Sequence, residues 1–187
     1  MEKNQNNEVI ITRLVRSHAP SAVVIVNMEK SSRKYVDDFL SMNATDLVEA
    51  SIIPIRLDCN SFTDKVSFWK GIAKTIKKTI SSDYEWSDDA MDAWKCVELS
   101  YDTYFLKEAI ITIAQEYLEE TGWRFLLIFE DFESILEKMD KEDSLKVRAL
   151  SLSFTLLTIT HTPLRELGER FFNDVYYCNM FASFKID

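Results

Sequence analysis

Residues 124–136 read RFLLIFEDFESIL, from Arg124 to Leu136, and the fold turns on this stretch. An apolar run without polar alternation suits a strand buried on both faces, as in a parallel sheet covered by helices. Two adjacent acids, Glu130 and Asp131, close the run where such a strand would reach solvent. Similar runs occur at Ala22–Val26 (AVVIV), Ile52–Leu57 (IIPIRL) and Phe154–Thr160 (FTLLTIT), and a fifth strand is expected at Val175–Phe181 (VYYCNMF).

Helical spacing fills the intervals, at Lys34–Leu40, Thr63–Ile80, Asp102–Glu120, Ser144–Ser151 and Pro163–Glu169. The third of these helices runs into Thr121-Gly122, and Gly is the expected residue just past a helix C-terminus. Pro163 suits a first helical turn. Strands alternating with helices imply right-handed crossovers, so the expected fold is three-layer α/β/α with a mostly parallel five-stranded sheet. With no internal repeat and no Pro/Ser/Gly-rich linker, residues 1–187 are expected to form one domain, without a C-terminal lid or winged helix.

Composition narrows the function classes. The 187 residues are 47% hydrophobic, 28% charged and 12% aromatic, which suits a folded domain rather than a disordered segment. The formal charge of -9 opposes sequence-blind attraction to a phosphate backbone, so nucleic acid is disfavoured as a partner. The three cysteines, Cys59, Cys96 and Cys178, match neither a disulfide framework nor a zinc spacing. The chain shows no signal-peptide pattern and no apolar run of membrane-spanning length, so a cytoplasmic protein with no membrane association is expected.

In an open α/β sheet, ligands sit beyond the carboxyl ends of the strands, and the first strand-to-helix turn is the usual phosphate cradle. Here that turn reads NMEKSSRK. Against G-x-x-x-x-G-K-[ST], Asn27 and Ser32 stand at the glycine positions, Arg33 at the lysine and Lys34 at the hydroxyl, with Ser31 inside the loop. With three glycines in the chain, no loop can use several to bring its backbone close to a pyrophosphate. Asn27 is the substitute that best tolerates positive φ. Arg33 keeps a cation, but its planar fork is not an ammonium. Lys34 puts a charge where a metal would be held. Taken by itself, the segment reads as an ordinary polar loop before a basic helix start.

Glu130 and Asp131 resemble a Walker B pair, with Glu130 on the metal side and Asp131 as base, reversed from the usual Asp-Glu order. Thr160, ending the fourth strand, stands where a γ-phosphate sensor would sit, although a β-branched residue also suits a strand for its own sake. His161 lacks a Ser or Cys partner at a recognised spacing and reads as a loop residue. The stripe Lys70, Lys74, Lys77 and Lys78 reads as the solvated face of a helix whose Val66, Trp69, Ile72, Ala73, Ile76 and Ile80 face the sheet.

Taken together, AVVIVNMEKSSRKYVDDFL, PIRLD, RFLLIFEDFESIL, LLTITHTPLREL and RFFNDVYY resemble the NTPase core of STAND-type P-loop ATPases, an AAA+-related signalling class of bacteria and archaea. The resemblance spans residues 10 to 181. It implies a nucleotide site at Asn27, Ser31, Ser32, Arg33, Lys34 and Thr160, with Glu130 and Asp131 as the catalytic acids. Its departures imply a degenerate member. No cofactor or metal site is fixed by the residues themselves, and ATP or ADP with magnesium is what the resemblance allows.

The leading expectation is a catalytically impaired STAND-like domain acting as a protein-interaction or signalling scaffold, with a bacterial conflict system as a setting the resemblance allows. A protein partner is expected, and an oligomer is left open. One alternative is a nucleotide-binding switch or slow ATPase with an atypical phosphate loop. Another is a nucleotide-independent adaptor using the acidic aromatic segment 81–94, anchored by Tyr84, Trp86 and Trp94. Against the adaptor, Ser87 reads as a helix cap with Asp88 and Asp89 in the first turn, which the helix dipole favours.

Overall fold

The computed structural model describes residues 9–16, 21–27, 32–80, 84–174 and 181–186. Five strands, β1 (Ala22–Asn27), β2 (Ile52–Asp58), β3 (Arg124–Glu130), β4 (Thr155–Thr160) and β5 (Ala182–Ile186), form one sheet in the order β2-β3-β4-β1-β5. Every pairing is parallel. The apolar runs are continuous because both faces are covered: on β3, Phe125, Leu127 and Phe129 enter one core and Leu126 and Ile128 the other. β2 lies at an edge, and it carries Pro54, which lacks the N–H a central strand would need.

One face is covered by α1 (Ser32–Met42) and α2 (Ala44–Glu49), whose Val36, Phe39 and Leu47 pack with Val23, Ile25, Leu157 and Ile159. The other carries α3 (Lys65–Thr79), α4 (Asp88–Leu99) and α5 (Thr103–Thr121). Short α6 (Glu133–Leu136) and then α7 (Lys141–Ala149) link β3 to β4, and α8 (Leu164–Phe172) follows β4. The Asp64 side chain accepts the Ser67 N–H at 2.7 Å and the Ser67 hydroxyl accepts the Asp64 N–H at 3.0 Å, a reciprocal cap that starts α3.

The α5 terminus is as expected. Gly122 adopts φ 75 and its N–H returns to the Leu118 carbonyl at 2.8 Å. No atom lies within 4 Å of an added Cβ there, so backbone strain alone sets the cost of a side chain. Gly122→Ala is expected to lower the unfolding free energy by about 1 kcal/mol, read from the urea midpoint at unchanged slope.

Several expectations are corrected. The fifth strand is Ala182–Ile186, and Phe181 precedes it; residues 175–180 of the expected strand lie outside the described residues. The helix expected at Ser144 starts at Lys141, because the Asp140 side chain caps it by accepting the Asp143 N–H at 2.9 Å. The acidic segment is not an aromatic surface. Ser87 caps α4 by accepting the Ala90 N–H at 3.1 Å, Trp94 is 4% exposed, and Tyr84 and Trp86 pack against Tyr117 and the core. Large rings gain more from burial than acids in a first turn can offset.

Candidate functional site

β1 leads across the sheet to the β2 edge while β4 leads past β1 to β5, so the order reverses at the β1–β4 pair, and beyond their carboxyl ends is where an open α/β sheet places a ligand. Four chain segments meet there on Asp131. Ser32, the first residue of α1 and 2% exposed, donates its hydroxyl to Asp131 Oδ1 in a short hydrogen bond. Asn60 donates from Nδ2 to Asp131 Oδ2 at 2.8 Å. His161, just past β4, brings Nε2 to 3.2 Å from Asp131 Oδ1.

Local geometry holds each member. Asp131 sits in the left-handed region with φ 50, which Asp tolerates better than most residues and which turns the chain sharply off β3. Asn60 belongs to a 3-10 turn, Cys59–Ser61, built by Asp58: its carboxylate accepts the Asn60 N–H at 3.1 Å and its carbonyl accepts the Ser61 hydroxyl at 2.6 Å. Glu133 Oε2 accepts the N–H groups of His161 and Thr162 at 3.2 and 3.1 Å, fixing the loop that presents the imidazole. Asp131→Ala is expected to cost about 1–2 kcal/mol, the strain of a left-handed alanine, and Asp131→Asn distinctly less; paired urea melts check the order.

Glu130 goes elsewhere. It ends β3 at 5% exposure and accepts from Arg56 Nε at 2.9 Å, while Arg56 Nη1 reaches Asp37 of α1. The two neighbouring acids therefore have separate partners, and Asp131, rather than Glu130, shares a hydrogen bond with the hydroxyl at the start of α1. Ser32, aligned above with a glycine, supplies that hydroxyl. Burial pushes the Cys59 thiol well above its ordinary value, with Asp58, Asp131 and Glu130 adding to the effect, which disfavours the thiolate.

Of the remaining expected site residues, Arg33 and Thr160 adjoin Ser32 and His161 in the chain. Asn27 ends β1 in register with Ile186, and its side chain, like all of Ser31, lies outside the described residues. Arg33 is largely exposed on α1 and approaches Asp58 at 3.6 Å, and Lys34 is exposed beside it. Thr160 is fully buried, and its hydroxyl has no hydrogen-bond partner among the described residues. Cys59 and Cys96 are free thiols. Among the described residues no helix is long and apolar enough to cross a membrane, and no three His, Cys, Asp or Glu side chains are grouped to hold a metal.

Asn60 and Arg56 were not foreseen. Arg56 had a signal, a lone cation inside the apolar run IIPIRL, which must find an acid if the strand is buried. Asn60 had none, since a turn asparagine has many uses.

No protein-family model matches the chain, and no curated protein matches it. Solved structures do. The Aeropyrum pernix ORC2 protein in ADPNP-ADP complexes superposes with a TM-score of 0.68 at 10% identity, over 99% of this chain and 46% of that one. What the two share is the fold, an α/β arrangement of helices around a mostly parallel five-stranded sheet. This chain is also similar to the Aeropyrum pernix ORC1 protein in complex with DNA, with TM-score 0.64 and 11% identity over 100% of this chain and 44% of that chain. Cdc6p from Pyrobaculum aerophilum gives 0.58 at 10% identity, over 98% and 44%. This chain thus spans under half the length of these archaeal proteins.

The ORC1 complex overturns the expectation that nucleic acid is disfavoured as a partner. Net charge sums over a whole surface, whereas binding is decided by the local field, so a charge of -9 does not exclude DNA for a core of this fold.

Proposed function

We propose that this AAA+-like core has lost efficient nucleotide hydrolysis and acts through contacts with other proteins. One observation carries the proposal: both strand-end acids are engaged, Glu130 by Arg56 and Asp131 by Ser32 and Asn60, with His161 alongside. Hydrolysis needs one carboxylate near magnesium and a group free to orient the attacking water. A Glu130 that is 5% exposed and ion-paired is poorly placed for either role. We include in the proposal the STAND-type assignment and a cytoplasmic signalling or conflict-system setting. Its support is the run from Thr160 through Pro163, which precedes α8, to Asn173, which ends α8 in the left-handed region.

A second reading, a nucleotide-binding switch, is favoured by the Ser32–Asp131 pair. A hydroxyl and a carboxylate are oxygen ligands of the kind magnesium accepts, and Ser32 and Asp131 would hold the ion when ATP or ADP binds. When bound, magnesium neutralises charge developing on the phosphates. The similar ORC2 structure contains ADPNP and ADP.

Calorimetric titration with ATP and ADP, with and without magnesium, combined with phosphate release, tests both readings. The impaired reading expects no phosphate above the blank. Magnesium-dependent binding in the micromolar range without turnover would select the switch, and turnover would overturn the proposal.

A further inference from the structure

On this acidic chain, the outer face of α3 carries Lys70, Lys74, Lys77 and Lys78, and the last three are exposed. Beside it, the corner between α4 and α5 leaves large apolar side chains in water: Leu99 and Tyr101 are each 78% exposed, with Phe105 at 55%. Exposed apolar side chains gathered at one place, rather than scattered singly, mark an interaction surface.

Two contacts join the lysine face to the corner. Lys70 Nζ lies 4.4 Å from the centre of the Tyr101 ring and donates to the Glu98 carbonyl at 3.0 Å. Lys77 lies 4.9 Å from the Trp94 ring and 3.9 Å from the Glu98 carboxylate. Beside the first of these contacts runs an open groove of about 540 Å³, with Phe62, Val66, Gly71 and Tyr101 among its walls and Lys70 and Lys74 at its side.

We propose that this face docks an acidic protein segment bearing aromatic or leucine side chains. Its carboxylates meet Lys74, Lys77 and Lys78, and one apolar side chain enters the groove against Phe62, Val66 and Tyr101. Charge complementarity selects the sign of the partner. Chemistry selects its class: Phe62, Val66 and Leu99 offer contact to an aliphatic or aromatic side chain and nothing to a phosphate. Asp64 in the groove and Glu98, 70% exposed at its edge, oppose a continuous run of phosphates, whereas a peptide can space its charges around them. The inference rests on the protein-contact reading above and uses none of the strand-end residues, so nucleotide titration decides that reading independently.

Fluorescence anisotropy tests the surface with three labelled probes: a peptide alternating Glu with Phe and Leu, a polyglutamate peptide of equal length, and single-stranded oligo-dT. The mixed peptide is expected to bind most tightly and to weaken as salt rises. Lys74→Glu/Lys78→Glu and, separately, Leu99→Ser/Tyr101→Ser are each expected to weaken it about tenfold or more. All four residues are exposed or at a groove rim, and thermal melts confirm that the variants fold. Amide shift mapping on the unaltered protein gives a readout independent of variants, with changes expected in α3 and at residues 99–105. No binding of the mixed peptide, binding unmoved by both variants, shifts confined elsewhere, or tighter binding of oligo-dT would each overturn the proposal.

Discussion

Replacing Arg56 with Met is expected to lower the unfolding free energy by about 3–5 kcal/mol, the cost of leaving a buried carboxylate without its partner. Glu130 is 5% exposed at the end of a strand whose residues 125–129 are all apolar, and Arg56 Nε at 2.9 Å is the cation that neutralises it. Asp37, the other acid on Arg56, is 57% exposed and can return to water at little cost. The loss should therefore be recovered when the acid is removed as well. Arg56→Met/Glu130→Leu is expected to regain most of the stability, because an apolar pair of similar volume often matches a buried ion pair. Urea unfolding of both single variants and the double variant measures the coupling. Additive losses in that cycle would mean that Glu130 has another partner.

Asp143→Ala is expected to cost a similar amount, about 3–5 kcal/mol, and to change the acid stability of the protein. The Asp143 side chain is 2% exposed, and three elements converge on it. Thr103 of α5 donates at 2.5 Å, Lys146 of α7 approaches at 3.2 Å, and Lys65 of α3 makes a short ion pair that also reaches Asp140. Burial alone would raise the Asp143 pKa, but hydrogen bonds from Lys65, Thr103 and Lys146 more than offset it and hold the carboxyl at about 2. An unfolded Asp titrates near 3.9. A depressed folded value adds stability that is present above about pH 4 and is lost as the pH falls towards 2. Urea midpoints across that window should fall steeply for the unaltered protein and less steeply for Asp143→Asn, which cannot titrate. Equal slopes would remove Asp143 from the acid response.

The sheet was legible because its strands are buried on both faces, which forces continuous apolar runs that turn-rich sequence cannot imitate. β3 and the cap at Gly122 match their expected positions. β5 was not legible: its sequence ASFKI alternates weakly, and the more apolar segment before it drew the expectation upstream. α4 was half legible, since Ser87 with two acids announced a helix start while Trp86 before it and Trp94 within it suggested a surface. At the site, the pair Glu130-Asp131 stood out as adjacent acids ending a strand. Their separate partners did not, because Arg56, Asn60 and Ser32 lie 74, 71 and 99 residues from the acids they bind and only the sheet order brings them together.

The position of β1 bears on how the protein is made. Among the described strands it comes first in the chain, yet its two neighbours, β4 and β5, come last. On a ribosome adding about 5–20 residues per second, Ala22–Asn27 therefore waits many seconds with both edges unsatisfied, while β2 and β3 can already pair with each other. A run as apolar as AVVIV is a natural target for a chaperone in that interval.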